Sequence, residues 1–170
     1  LKSYFLNSSA FKVLSEEFIH AGAALRFTAN GASMLPMIRD GDALLIKPVS
    51  PERIRRGDVL LFTCENGLPL VHRVTRRRKT GGDYAFWIEG DQALQPDGWI
   101  HPKNVIGRLD SLQRGSKTFR FNTLVNRALS LALATRKRFR LSERFRFGMP
   151  ACFAQLFPIC SEVGGKRTDA

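Results

Sequence analysis

Ser33 lies in Gly31-Ala32-Ser33-Met34-Leu35-Pro36, a stretch that runs on to a turn at Gly41-Asp42. A serine hydroxyl is a weak nucleophile until a neighbouring base takes its proton, so a reactive Ser33 needs a basic side chain within hydrogen-bond reach. The chain has three histidines. His20 falls in an N-terminal helical pattern and His101 in a loop before Pro102, whereas His72 sits inside the apolar run "LVHRV". A histidine on a half-buried strand can be held in one orientation, as a general base requires. A carboxylate is then wanted to fix the imidazole tautomer. Asp91 and Asp97, in "EGDQALQPDG", are the natural suppliers. Taken singly, Ser33 reads as a turn residue, His72 as a satisfied strand histidine and each aspartate as a turn former. Their order and context give the set its meaning.

The elements that must position these residues are short. "SSAFKVLSEEFIHAG" has the period of an amphipathic helix, with Ser8 or Ser9 as cap, Phe11, Leu14, Phe18 and Ile19 on one face, and Gly22 as its stop. The period then becomes strand-like in "ALRFTA", "DALLIKPV", "DVLLFTC", "PLVHRVTRR", "YAFWIEG" and "NVIGRLDSLQ", each bounded by Gly, Pro, Asn or Asp. Gly41-Asp42 and Gly57-Asp58 directly precede apolar runs, and Gly90-Asp91 follows one. A Gly-Asp step permits a tight bend in which the carboxylate bonds back to the backbone. A mainly β fold is expected.

With 170 residues and 44% hydrophobic content, the chain can build one core without disulfides. Cys64, Cys152 and Cys160 are odd in number and lack histidines at ligand spacing, so neither a zinc site nor a disulfide framework is indicated. No apolar run reaches the length of about 18 residues of a spanning helix. The net charge of +12 points to an anionic partner surface. From Arg114 to Arg146 the basic residues face a single acid, Glu143, and this shift in composition places a boundary near Gly115. Three segments are therefore expected: a helical 1–24, a catalytic 25–114 and a basic, partly helical tail 115–170.

The ordered boxes "GASMLPMIRDGDALLI", "RRGDVLLF", "LVHRV", "EGDQALQPDG" and "VIGRL", over roughly Leu25 to Leu109, resemble those of the signal peptidase I family, serine peptidases of the S26 type, and their self-cleaving S24 relatives. The resemblance implies a signal-peptidase/LexA-like β catalytic domain with Ser33 as nucleophile. It implies His72 as base, as in the histidine branch of the family, where other members use lysine. It implies Gly31, Met34, Leu35 and Pro36 around the substrate, with Met34 packing inward and Pro36 fixing the exit of the turn. Leu35, Met37 and Ile38 either line a substrate groove or belong to the core. The Gly-Asp box supplies Asp91, and the histidine branch a second aspartate six positions later, Asp97. Spacing alone does not choose between them; Asp97 is preferred as the third member of a triad, with Asp91 in support. Gln92 replaces the asparagine common after Gly-Asp, and Gly31 replaces a hydroxyl residue, leaving the Ser33 N–H as main oxyanion donor.

The implied activity is that of a serine endopeptidase without cofactor or metal, acting on a peptide or protein in leader or precursor maturation. The rate should rise with pH as His72 loses its proton. A self-cleaving regulatory protein is a second reading, although Ala21-Gly22 lies too close to Ser33 in sequence for the usual cleavage loop. A non-catalytic peptide-binding module is a third. For the tail, a packing helix with a solvated arginine face competes with an interfacial membrane anchor. Nucleic acid is disfavoured, since no recognition helix or aromatic platform accompanies the charge. A cytoplasmic or peripherally membrane-associated location follows.

Overall fold

The computed structural model describes residues 8–121, 128 and 130–133. One helix, α1 (Ser8–His20), precedes eight strands: β1 (Leu25–Thr28), β2 (Ala43–Lys47), β3 (Val59–Thr63), β4 (Pro69–Thr80), β5 (Asp83–Glu89), β6 (Gly98–Ile100), β7 (Val105–Arg114) and β8 (Lys117–Arg120). They form one antiparallel sheet in the order β1-β2-β7-β3-β4-β5-β6, with β8 also on β7. The mainly β expectation holds.

β7 is the seam of the sheet. It pairs with β2 on one side and, over its first half, with β3 on the other, while its second half turns over Gly115 into β8. Lys117–Arg120 are thus part of the sheet, on the tail side of the boundary expected at Gly115. Ala128 and residues 130–133 are helical, in keeping with the helical pattern there. Buried Ser130 approaches Met37, with its Oγ 4.0 Å from the sulfur. The arginine-phenylalanine alternation and the membrane and nucleic-acid readings placed on it lie outside the described residues.

Two apolar clusters fill the fold. One gathers Ile19, Met34, Ile38, Leu44, Ile46, Val59 and Leu61 with β7 residues, and the other gathers Ile54, Leu60, Phe62, Val74, Phe86, Ile88 and Ile100. The alternation of β3 explains the division, because Leu60 and Phe62 face away from Val59 and Leu61. α1 meets the sheet through Phe11, Ser15 and Ile19, at the i, i+4, i+8 spacing of one helical stripe. This corrects the expected face: Leu14 is 37% and Phe18 50% exposed, and only Phe11 and Ile19 of the four turn inward. Ser8 and Ser9 are already helical rather than capping.

Both Gly-Asp turns that precede strands close as the sequence suggests. Asp42 accepts from the Arg39 N–H at 2.8 Å, and Asp58 from the Arg55 N–H at 2.8 Å. Asp42 is buried and also receives two hydrogen bonds from Arg114 at the end of β7, at 2.8 and 2.6 Å. The Arg114 guanidinium holds the Asp42 carboxyl below its ordinary value, overcoming burial, which acts the other way, with the Arg39 N–H assisting. Among the described residues no helix is long and apolar enough to cross a membrane.

Candidate active site

β1 delivers the chain directly into the loop that carries Ser33. Gly31 opens this loop at a φ of 97°, a conformation that side chains with a Cβ rarely adopt, and its N–H is held by Asp40 at 2.8 Å. Leu35–Pro36 is a cis peptide, and Met34 and Ile38 sink into the core beneath the loop. Ser33 itself stays exposed. The loop is therefore anchored from below while its hydroxyl faces outward.

The hydroxyl meets β4. Ser33 Oγ is 2.9 Å from His72 Nε2, and His72 Nδ1 is 2.7 Å from an Asp97 carboxylate oxygen. With Nδ1–H donating to the carboxylate, Nε2 presents its lone pair and accepts from the Ser33 hydroxyl. The histidine side chain is 8% and that of Asp97 14% exposed, so both lie behind the serine and out of bulk water. Such a chain can take the proton from Ser33 and stabilise the imidazolium that results.

Neighbouring strand residues point to opposite faces, and this separates the two aspartates. His72 turns to Asp97. Arg73, fully buried, turns to Asp91 with bonds of 2.8 and 2.7 Å to its two oxygens. Arg73 also donates to the Gly57 carbonyl at 3.0 Å and reaches the Met37 sulfur at 3.2 Å. One guanidinium thus ties the acidic turn, the turn before β3 and the exit of the serine loop to β4. The bidentate geometry and satisfied donors compensate the cost of burying this charge.

Backbone bonds complete the frame. The Gln92 N–H donates to the Ser33 carbonyl at 2.7 Å, and the Asp97 N–H to the Ile88 carbonyl at 3.0 Å. Gly90 lies under the imidazole so closely that a Cβ there would come within 2.9 Å of His72 Nε2.

The residues singled out from sequence fall as follows. Ser33, His72 and Asp97 come together, and Asp91 stands beside them on Arg73. Of those expected around a substrate, Gly31 and Pro36 are exposed and Leu35 is half-buried. Met34 is 4% exposed and packs inward, so its side chain is core and only its backbone is left to face a peptide. Ile38 is core too, and Met37 is half-buried against Arg73. His20 is exposed at the end of α1, and His101 accepts from the Lys103 N–H, capping the turn at Pro102–Asn104. Sequence reasoning did not foresee the roles of Arg73 and Gly90. A lone arginine inside an apolar strand was the available signal for the first; the second shows only in three dimensions.

No curated protein matches this chain at a significant level. A protein-family model described as Peptidase S24-like matches residues 3–91, from before α1 through β5 and the Asp91 turn, and so includes Ser33 and His72. That match covers more than half of the 170 residues, and the chain belongs to the Peptidase S24-like family.

Proposed function

We propose that this protein is a serine endopeptidase of the histidine-base, signal-peptidase-like type, with Ser33 as nucleophile, His72 as general base and acid, and Asp97 as the orienting carboxylate. The observation that carries this reading is the continuous path from the Ser33 hydroxyl through both ring nitrogens of His72 to Asp97, at 2.9 and 2.7 Å. Ser33 Oγ attacks the scissile carbonyl as its proton passes to His72 Nε2, and the tetrahedral intermediate expels the amine, which takes that proton. Water, deprotonated by His72, then hydrolyses the acyl-enzyme and frees the new carboxyl end. The Gly31 N–H is committed to Asp40, whereas the Ser33 N–H makes no bond to another described residue, which supports it as the main oxyanion donor.

Among the described residues β1 is an edge strand paired to β2 alone, and it ends at the serine loop. An extended peptide can add to such an edge and run past Ser33, with Gly31 and Pro36 exposed beside it and Leu35 half-buried. Maturation of a leader or precursor is the role that fits this reading. Cleavage in trans is favoured over self-cleavage at Ala21-Gly22. Those two residues close the end of α1, with the Ala21 N–H on Glu17 and the Gly22 N–H on Ile19, and all of β1 separates them from Ser33.

The test is labelling of purified protein by a serine-directed activity probe, together with incubation of the protein alone. Labelling is expected to require Ser33 and His72, with the isolated chain remaining intact at Ala21-Gly22. Replacement of Asp97 by Asn should lower the labelling rate by about 10³-fold to 10⁴-fold, since the wrong tautomer then faces the serine. Labelling that survives Ser33→Ala would place the reactive group elsewhere and overturn the assignment, and a folded protein that no probe labels would leave a peptide-binding module with this fold.

A further inference from the structure

Beyond Arg73, β4 no longer pairs with β3, and its second half runs on as the edge of a ribbon, paired to β5, with the short β6 on the far side of β5. Four consecutive cations, Arg76, Arg77, Arg78 and Lys79, occupy this stretch, and all are exposed. None takes part in an ion pair among the described residues, although five lysine- or arginine-carboxylate pairs are made elsewhere. The four cations instead lie on aromatic rings. Arg78 is 4.2 Å and Arg76 5.8 Å from the ring centres of Trp99 and Trp87, while Arg77 and Lys79 stand 4.4 and 5.3 Å from that of Tyr84.

The register sorts these groups by face. Arg76 lies opposite Trp87, and Trp87 opposite Trp99, so Arg76, Arg78 and the two indoles share one side of the ribbon. The indoles meet edge to face at 5.5 Å, and Trp99 remains 37% exposed. Arg77, Lys79 and Tyr84 share the other side. The outcome is a projecting ribbon with unneutralised cations at its surface and amphipathic rings beneath them.

We propose that this ribbon docks on an anionic phospholipid surface, with the guanidiniums on headgroup phosphates and Trp99 at the boundary with the acyl chains. Arginine engages phosphate through two parallel hydrogen bonds, and Trp and Tyr favour the interfacial layer because their rings are apolar with one polar atom. Juxtaposed cations gain from the negative surface potential of such a leaflet. The same arrangement argues against single-stranded nucleic acid, which would need open ring faces on which to stack bases. Here a guanidinium already covers a face of Trp99 and of Tyr84. The proposal is separate from the basic tail and holds whether or not Ser33 is reactive.

The experiment exploits a compositional accident. The chain has two tryptophans, Trp87 and Trp99, and both lie in the patch. Full-length protein is mixed with phosphatidylcholine vesicles with and without phosphatidylglycerol, and binding is followed by flotation and by tryptophan emission, with brominated lipid as quencher. Binding is expected only with the anionic lipid, to weaken with salt, and to bring a blue shift and quenching. The Arg76→Gln/Arg78→Gln variant, checked for native circular dichroism, should bind more weakly by about fivefold for each charge removed. Vesicle binding without any change in tryptophan emission would assign the lipid contact to another part of the chain and overturn the proposal. So would absence of vesicle binding, or an oligonucleotide that uses the same two arginines and displaces the vesicles.

Discussion

A methyl group added at Gly90 would stand 2.9 Å from His72 Nε2 and 3.0 Å from the Ala93 side chain, so Gly90→Ala must displace the imidazole or the turn that carries it. A shift of about 1 Å at a reacting atom costs on the order of 100-fold in rate. The variant is expected to fold with near wild-type thermal stability and to lose labelling at Ser33 by that order, which kinetics beside a melting curve will show. Asp91 predicts the opposite pattern. Its carboxylate neutralises buried Arg73, and breaking such a pair by Asp91→Ala should cost about 3–5 kcal/mol, read by denaturant unfolding. His72 was legible in the sequence as the one histidine within an apolar strand. Spacing alone did not divide the labour between Asp91 and Asp97, and the preference for Asp97 came from the resemblance; the geometry that agrees with it depends on distant partners, since Arg73 claims Asp91 and the Ile88 carbonyl fixes the backbone of Asp97.

Of the described glycines, Gly107 on β7 leaves the least room for a side chain, because β2 passes against it. A Cβ at Gly107 would lie 2.6 Å from an Ile46 methyl and 2.8 Å from the Lys47 carbonyl. Gly107→Ala is expected to destabilise by about 1–3 kcal/mol through overpacking, measurable as a lower midpoint in urea with an unchanged slope. Most strands were readable from period and punctuation. Two were not: Gly98–Ile100 and Lys117–Arg120 lack an apolar alternation of their own and pair with β5 and β7. α1 was misjudged in rotation for a related reason. Phe11 and Ile19 mark one stripe, Leu14 and Phe18 an adjacent one, and only contact with the sheet selects between them.

For the molecule as a whole, Asp42 and Arg114 join the beginning of β2 to the end of β7 across 72 residues of chain. Because the folded Asp42 carboxyl titrates below its unfolded value of about 3.8, its contribution to stability is complete above that pH and disappears as pH falls through the lower, folded value. Thermal melting of the wild type is therefore expected to fall more steeply below about pH 4 than that of Asp42→Asn, whose melting temperature will be lower at neutral pH. Arg114→Gln should cost about 2 kcal/mol at neutral pH, the scale of a hydrogen bond to a charged group.

The position of β7 also bears on how the protein is made. During synthesis, β2 and β3 emerge long before the strand that joins them, and until Val105–Arg114 leaves the ribosome each has an open edge. Open edges invite pairing with other chains. Ser33 likewise leaves the ribosome 39 residues ahead of His72 and 64 ahead of Asp97. The contact of the Ser33 hydroxyl with His72, and of His72 with Asp97, therefore forms only after the sheet has begun to close.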